Sequence, residues 1–254
     1  MRALRNRNRG QILVIAVLVV SLIMLSTQLY ILEAGRSVTG AQTLRAIDFV
    51  LAVKLGSKHI VTGSLAEISV GEAYTILNDE LEQWIALIRG MYEFGRPMLN
   101  FTLENNSSYT NGTCLSWNNE GVGASSSSAN FSLYLLDNEV YVELSYAANV
   151  STSITLNGTY RTVEGDTKQV NVTCKVLNEG EPALAKNTSI LFQNSSSWLP
   201  AETQDNYLLT DYGNGTYLVS FEASIPQANI SVSAQAFDLR EIYVQANSTC
   251  VDST

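Results

Sequence analysis

The run KQVNVTCKV, Lys168 to Val176, alternates without a break. Val170, Val172, Cys174 and Val176 fall on one side of an extended chain, and Asn171, Thr173 and Lys175 on the other, because successive side chains of a strand point to opposite faces. A strand of this kind buries one face and wets the other, as in antiparallel sheets packed face to face. The same split recurs in NISVSAQA, where Ile230, Val232, Ala234 and Ala236 oppose Asn229, Ser231, Ser233 and Gln235. It recurs in GTYLVSF, with Tyr217, Val219 and Phe221 inward. Several such strands at this spacing predict a β-sandwich over residues 164–254.

Working upstream, FSLYLL and EVYVELSY flank Asp137-Asn138 and read as a tight hairpin, with Val140, Val142, Leu144 and Tyr146 sharing a face. Residues 104–129 read as an Asn/Ser/Gly-rich loop, and GVGASSSSAN within it as a flexible excursion. Residues 98–163 are therefore expected to be a loop and hairpin region, bounded at Glu164-Gly165-Asp166.

Residues 33–97 read as helical. Val38, Ala41, Leu44, Ile47, Leu51 and Leu55 recur at three and four and predict an apolar stripe, with Gly35 and Gly40 as soft points. A break is expected from Lys58 to Gly71. Ser69-Val70-Gly71-Glu72 has the form of a capping box opening a second helix. Ala73, Leu77, Leu81, Trp84, Ile88 and Met91 trace that helix's stripe, and Gly95 and Pro97 stop it. The two helices are expected to pack on each other, or one of them on a sheet.

At the N-terminus a basic tip, with Arg2, Arg5, Arg7 and Arg9, precedes 22 uncharged and mostly apolar residues from Gln11 to Leu32. A helix of that length covers the roughly 30 Å hydrocarbon core of a bilayer. It exceeds the apolar region of a cleavable secretory signal, and LYILEAGRS offers no good small-x-small site. The arginines place residues 1–10 in the cytoplasm and Glu33 onward outside. Beyond residue 10 the charge is strongly acidic: 15 − 4 basic against 24 acidic residues leaves −13. That balance argues against a nucleic-acid partner, whose phosphates would be repelled.

Residues 100–254 hold 18 asparagines, 13 of which begin N-x-S/T: Asn100, Asn105, Asn106, Asn111, Asn130, Asn149, Asn157, Asn171, Asn187, Asn194, Asn214, Asn229 and Asn247. Chance placement among the serines and threonines present would give roughly four. Residues 1–99 have no such triplet. The enrichment is what an N-glycosylated exterior looks like, since these glycans are attached to exported chain. Asn171 and Asn229 fall on the wet side of their strands, where a glycan fits.

Cys174 and Cys250 share inward parity. An oxidising exterior permits a bridge between them, and two unpaired thiols are equally acceptable. Cys114 is left over. No catalytic residue, metal site or cofactor is assigned. The single His59 has no second ligand at a useful spacing, and Asp79, Glu80 and Glu82 read as a solvated helix face. G-x-S-x-G, H-E-x-x-H and a phosphate-cradling glycine loop are all missing, so the expectation is that the protein is not an enzyme.

Two resemblances rest on short motifs. In TDYGNGTYLVSF, the residues Asp211, Gly213, Gly215, Thr216 and Tyr217 resemble the D-x-G-x-G-T-Y strand lead-in of filamin-like and bacterial Ig-like repeats. That resemblance implies an Ig-like sandwich and no activity. Arg9, Gly10, Gln11 and Ile12, with the apolar run to Leu32, resemble the class III signal of archaeal type IV pilin-like surface proteins. There a membrane peptidase cuts after the glycine, so the resemblance implies cleavage between Gly10 and Gln11 and filament partners of the same type through the N-terminal helix. Bacterial pilins usually carry a glutamate where this chain has Ile15.

The expected fold is α+β: a basic cytoplasmic leader (1–10), a transmembrane helix (11–32) extending outward, a helical region (33–97) with a second helix, then an antiparallel β region (98–163) ending in an Ig-like β-sandwich (164–254). The expected function is that of a single-pass, N-glycosylated, extracellular structural or adhesion protein of the cell membrane, pilin-like in its N-terminus, with membrane lipid as a partner. The alternative is a ligand-binding or sensory ectodomain of a cell-envelope complex.

Overall fold

The computed structural model describes residues 21, 23–29, 46–91, 96–118, 120–136 and 141–253. The leader, the Gly10-Gln11 bond, most of the 11–32 span and residues 33–45 lie outside the described residues; residues 23–29 are helical and exposed. No helix among the described residues is long and apolar enough to cross a membrane.

The chain is mostly antiparallel β-sheet with helices at its N-terminal side. Among the described residues, helix α1 (46–69) and helix α2 (Ile76–Met91) precede thirteen strands. The larger sheet runs β1 (Arg96–Leu103), β3 (Val122–Leu136), β4 (Tyr141–Glu164), β5 (Thr167–Asn178), β10 (Thr216–Ser224) and β9 (Asp205–Asp211). Strands β2 (Thr113–Trp117), β6 (Glu181–Pro182) and β13 (Val251–Asp252) attach to β3, β5 and β4. The smaller sheet runs β12 (Tyr243–Thr249), β11 (Ser231–Asp238), β7 (Ala185–Asn194) and β8 (Ser197–Pro200).

Between the two sheets lies one core, and its inward residues are those the alternation names. Val170, Val172, Cys174 and Val176 of β5 face Ile190, Phe192, Val232, Ala234 and Ala236 across the gap, and each buried side chain of Phe or Val size contributes about 1.5–3 kcal/mol. Phe192 and Phe221 meet with ring centroids 5.1 Å apart. A second core joins α1 and α2 to β1, β3 and β4 through Val61, Leu65, Leu77, Leu81, Leu99, Phe131 and Leu133. The helices pack on each other and on the sheet. Trp84 shows how tightly: its ring covers Gly56, where a Cβ would come within 2.2 Å, and its Nε1 donates to Ser57 Oγ at 3.1 Å.

Four expectations are corrected. First, α1 does not break at Lys58; it continues to residue 69 because Val61, Leu65 and Ile68 keep the buried periodicity going. The Ser69 motif is a helix end rather than a capping box: Gly71 N–H donates to Ile68 C=O and Glu72 N–H to Glu67 C=O, with Gly71 at φ 112°, a Schellman closure. Second, the stripe of Ile47, Leu51 and Leu55 is exposed, while Ala46, Val53, Val61 and Leu65 form the packed face.

Third, GVGASSSSAN is not an excursion but half of β3. Gly123, Ser125 and Ser127 are buried in it, since small side chains let β12 approach closely: a Cβ on Gly123 would lie 1.9 Å from the Gln245 carbonyl oxygen. Ser125 and Ser127 satisfy their hydroxyls on the Tyr243 and Gly112 carbonyls, so the strand carries no orphaned donor there. Fourth, Glu164-Gly165-Asp166 marks no domain edge. β4 and β5 pair in one register from Thr152↔Asn178 to Thr162↔Lys168, and the register shifts only before the last pair, Glu164↔Thr167, so the 98–163 and 164–254 segments share one sheet.

Candidate functional site

All thirteen sequon asparagines fall on described residues, and none is buried. Asn111, Asn171, Asn194 and Asn247 are half-buried; Asn100, Asn105, Asn106, Asn130, Asn149, Asn157, Asn187, Asn214 and Asn229 are exposed. The strand pleat produces this, because Asn171 and Asn157 alternate with inward Val170, Val172, Leu156 and Gly158. Several of these asparagines shape turns. Asn106 Oδ1 accepts from the N–H groups of Ser108 and Tyr109, each at 2.8 Å, and Asn214 Oδ1 accepts from Thr216 N–H at 3.1 Å. In the Asp211 to Tyr217 motif the positive φ angles belong to Gly213 (70°) and Gly215 (78°). Gly215 also packs so closely on Ala183 that a Cβ would meet its carbonyl oxygen at 2.3 Å.

Cys174 and Cys250 both lie in the inter-sheet core, yet no disulfide joins them; with Cys114 they are free thiols. Burial pushes both core thiols up to about 12, which suppresses the thiolate that disulfide exchange requires. Cys250 occupies space left by Gly158, where a Cβ would lie 2.4 Å from its Sγ. His59 is exposed on α1. Glu80 is half-buried and accepts from Ser64 Oγ at 2.5 Å, while Asp79 and Glu82 are exposed. Among the described residues no group of three His, Cys, Asp or Glu side chains could hold a metal ion.

One cleft joins the helical region to the smaller sheet. It has a volume of about 340 Å³ and is lined by Ser69, Val70 and Gly71 at the end of α1, Trp117 of β2, Phe237 of β11 and Tyr243 of β12. Trp117 meets Tyr243 edge to face at 5.2 Å, and Phe237 meets Tyr243 at 5.1 Å. Trp117 Nε1 donates to Ser125 Oγ, and the Tyr243 N–H donates to Ser69 Oγ, tying the three segments together. The Tyr243 hydroxyl donates to Gln245 Oε1 at 2.9 Å, and Gln245 Nε2 donates onward to Ser233 and Asn247. Burial raises the pKa of Tyr243, so the phenol stays a neutral donor. Among the described residues no charged side chain lines the cleft, so it suits a neutral ligand with an apolar face. Strand parity places Phe237 and Tyr243 on one outer face; nothing in the sequence brings Trp117 to them.

Beside the cleft, a polar clasp holds the two sheets. Asp238, fully buried, accepts from the Thr152 hydroxyl at 2.8 Å, the Arg240 and Ile242 N–H groups at 2.8 and 3.0 Å, and Arg240 Nε at 2.7 Å. Arg240 reaches on to Glu179 Oε1 at 2.7 Å and to the Ser151 carbonyl at 3.0 Å. β4 and the β5–β6 turn are thereby fastened to the β11–β12 turn.

No protein-family model matches the chain, and no curated protein matches it as a relative.

Proposed function

We propose that the chain is a single-pass surface protein in which the 11–32 span anchors an N-glycosylated, Ig-like β domain outside the cell, in a structural or adhesive role. In this reading Gly10-Gln11 is a pilin-type processing site. The observation that carries the proposal is the distribution of the sequons: thirteen follow the apolar span, none precedes it, and every one lies at an exposed or half-buried position. A glycan needs an asparagine that an enzyme can reach on exported chain. The free core thiols are compatible with this setting, since the two buried cores hold the domain without a disulfide. Mass spectrometry of the native N-terminus tests the processing step. A terminal peptide starting at Gln11 is expected; one starting at Met1 or Arg2 contradicts cleavage and leaves a plain anchor.

The aromatic cleft favours a second reading, a binding ectodomain for a neutral ligand. Trp117→Ala would then abolish binding of that ligand without lowering the unfolding midpoint of the domain by more than an exposed ring accounts for; a tryptophan emission spectrum unmoved by any neutral saccharide or aromatic compound tried would contradict it.

A further inference from the structure

The first part of β4 is an open sheet edge. β3 pairs with it from Tyr141 to Thr155, but β5 joins its other side only at Thr152, so no strand among the described residues covers that side of residues 141–150. The direction of the backbone groups follows from the residues just beyond. Ser151 C=O accepts from Glu179 N–H, and Ser151 N–H donates to Glu179 Oε1, both on the β5 side; Leu156 N–H turns the other way, to the Gly121 carbonyl. By strand alternation, Tyr141, Glu143, Ser145, Ala147 and Asn149 aim their N–H and C=O groups at the open side. Edges are normally blunted by proline, a bulge or charge. This one has no proline and no register shift, and Glu143 is its one charged residue.

A groove follows the edge. Hollows of about 340 and 320 Å³ lie end to end between α1 and β4, the first walled by Ile47, Leu51 and Lys54 beside residues 142–144, the second by Lys54, Leu55 and Lys58 beside residues 146–149. Apolar side chains therefore stand at one end and two cations at the other. The side chains of Glu143 and Asn149 leave by the opposite face, where Asn149 Oδ1 accepts from Ser128 Oγ at 2.7 Å, so a glycan on Asn149 stands off the sheet rather than in the edge. The chain holds one strand of complementary character. β9 ends the same sheet, paired with β10 alone among the described residues, and exposes Leu208 (62 %) and Leu209 (44 %) between Asp205 and Asp211. Tyr207 packs on the inter-sheet core, and Leu209 and Asp211 share its face of the strand. That is also the α1 face of the sheet, since Val150 and Ile154 of β4 have one parity and enter the helical and the inter-sheet core respectively.

We propose that β9 of a second copy of the chain adds to the open edge of β4, with Leu209 against Leu51 and Leu55 and Asp211 beside Lys54 and Lys58. Both open edges look away from β3, so a two-fold axis normal to the sheet brings each β4 onto the other copy's β9 and closes two equal contacts. β4, β5, β10 and β9 alternate in direction. The turned copy's β9 therefore runs parallel to β4, which carries Asp211 to the lysine end of the groove. The same axis reverses the copies end for end, so their chains enter α1 from opposite ends, and copies on facing surfaces pair in trans. The adhesive role proposed above thereby gains a partner of its own kind; this last step rests on the anchor reading.

The test uses the full chain in detergent, in a Cys114→Ser background. Ser145→Cys and Leu208→Cys chains, one carrying a size tag, are treated with a short bismaleimide, each alone and then mixed. A cross-linked dimer is expected in the mixture and in neither chain alone. Absence of cross-linking overturns the proposal, and so does joining of Ser145→Cys to itself, which would mean that β4 meets β4. Charge reversal reads the match of lysine to aspartate. Lys54→Glu with Lys58→Glu, or Asp205→Lys with Asp211→Lys, is expected to weaken association about tenfold. An equimolar mixture of the two reversed chains is expected to recover it, because each supplies the other's complement at both contacts; reversed chains that associate as the parent does overturn the proposal. Phosphatidylcholine vesicles carrying the parent chain are expected to cluster, and those carrying either reversed chain to stay dispersed. Parent vesicles that hold the chain on flotation yet stay dispersed refute pairing between surfaces. A chain that fails to float refutes the anchor and the facing arrangement with it, and the cross-link decides the pairing by itself.

Discussion

Gly123→Ala is expected to cost about 3 kcal/mol of folding stability, and Gly123→Val more, at or beyond the upper end of overpacking in a close-packed interior. The cause is geometric. The added Cβ would sit 1.9 Å from the Gln245 carbonyl oxygen and 2.7 Å from its carbonyl carbon. Those are backbone atoms of β12, whose next inward neighbours Val244 and Ala246 are fully buried in the inter-sheet core. Neither strand can yield alone: β3 is pinned on one side by β4 over fifteen residue pairs, Val122↔Thr155 to Leu136↔Tyr141, and β12 is held through Ser125 Oγ to the Tyr243 carbonyl at 2.6 Å. Chemical denaturation of the two variants measures the loss. Gly63→Ala serves as the contrast, since nothing lies within 4 Å of its added Cβ and a helical glycine replaced by alanine gains about 0.5–1 kcal/mol. Equal midpoints for Gly123→Ala and the parent protein would mean that β12 does not approach β3 as described.

The second large effect belongs to the clasp. Arg240→Leu is expected to cost about 3–5 kcal/mol, because it strips the counter-charge from a carboxylate with no access to water. Asp238 is 0 % exposed, whereas the Arg240 side chain keeps 24 % of its surface in solvent; the asymmetry makes loss of the arginine the costlier half of the pair. The three neutral donors that remain, from Thr152, Arg240 N–H and Ile242 N–H, hold the carboxylate without neutralising it. The double variant Asp238→Ala with Arg240→Leu is expected to lose less than the sum of the single changes, since each removes the other's partner. Additive losses would show that the two groups do not act as a pair.

How much of this the residues announced depends on where the determining contact lies. The inward faces of β5, β10 and β11 were legible because a two-residue period is a local property of the strand, and the structure buries Val170, Val172, Cys174, Val176, Tyr217, Val219 and Phe221 on those faces. The serine-rich half of β3 was not, because serine and glycine have poor intrinsic strand preference; they are there for the approach of β12, more than a hundred residues away. On α1 the sequence offers two apolar stripes, and periodicity cannot say which one meets the sheet. The buried stripe includes Ser57 and Ser64, whose hydroxyls are satisfied on the helix carbonyls of Val53 and Ile60, so polarity misassigns it. The aromatic cleft and the Asp238–Arg240 clasp each assemble side chains from distant segments, and no spacing rule encodes them.

Site-by-site glycopeptide mapping of the native protein measures most directly which side of the membrane the β domain occupies. Glycan masses are expected on most of the thirteen asparagines, with the exposed Asn100, Asn130, Asn157 and Asn229 occupied more fully than half-buried Asn194, whose Nδ2 donates to the Ser224 carbonyl. Unmodified peptides at nearly all thirteen positions would contradict an exported, glycosylated domain.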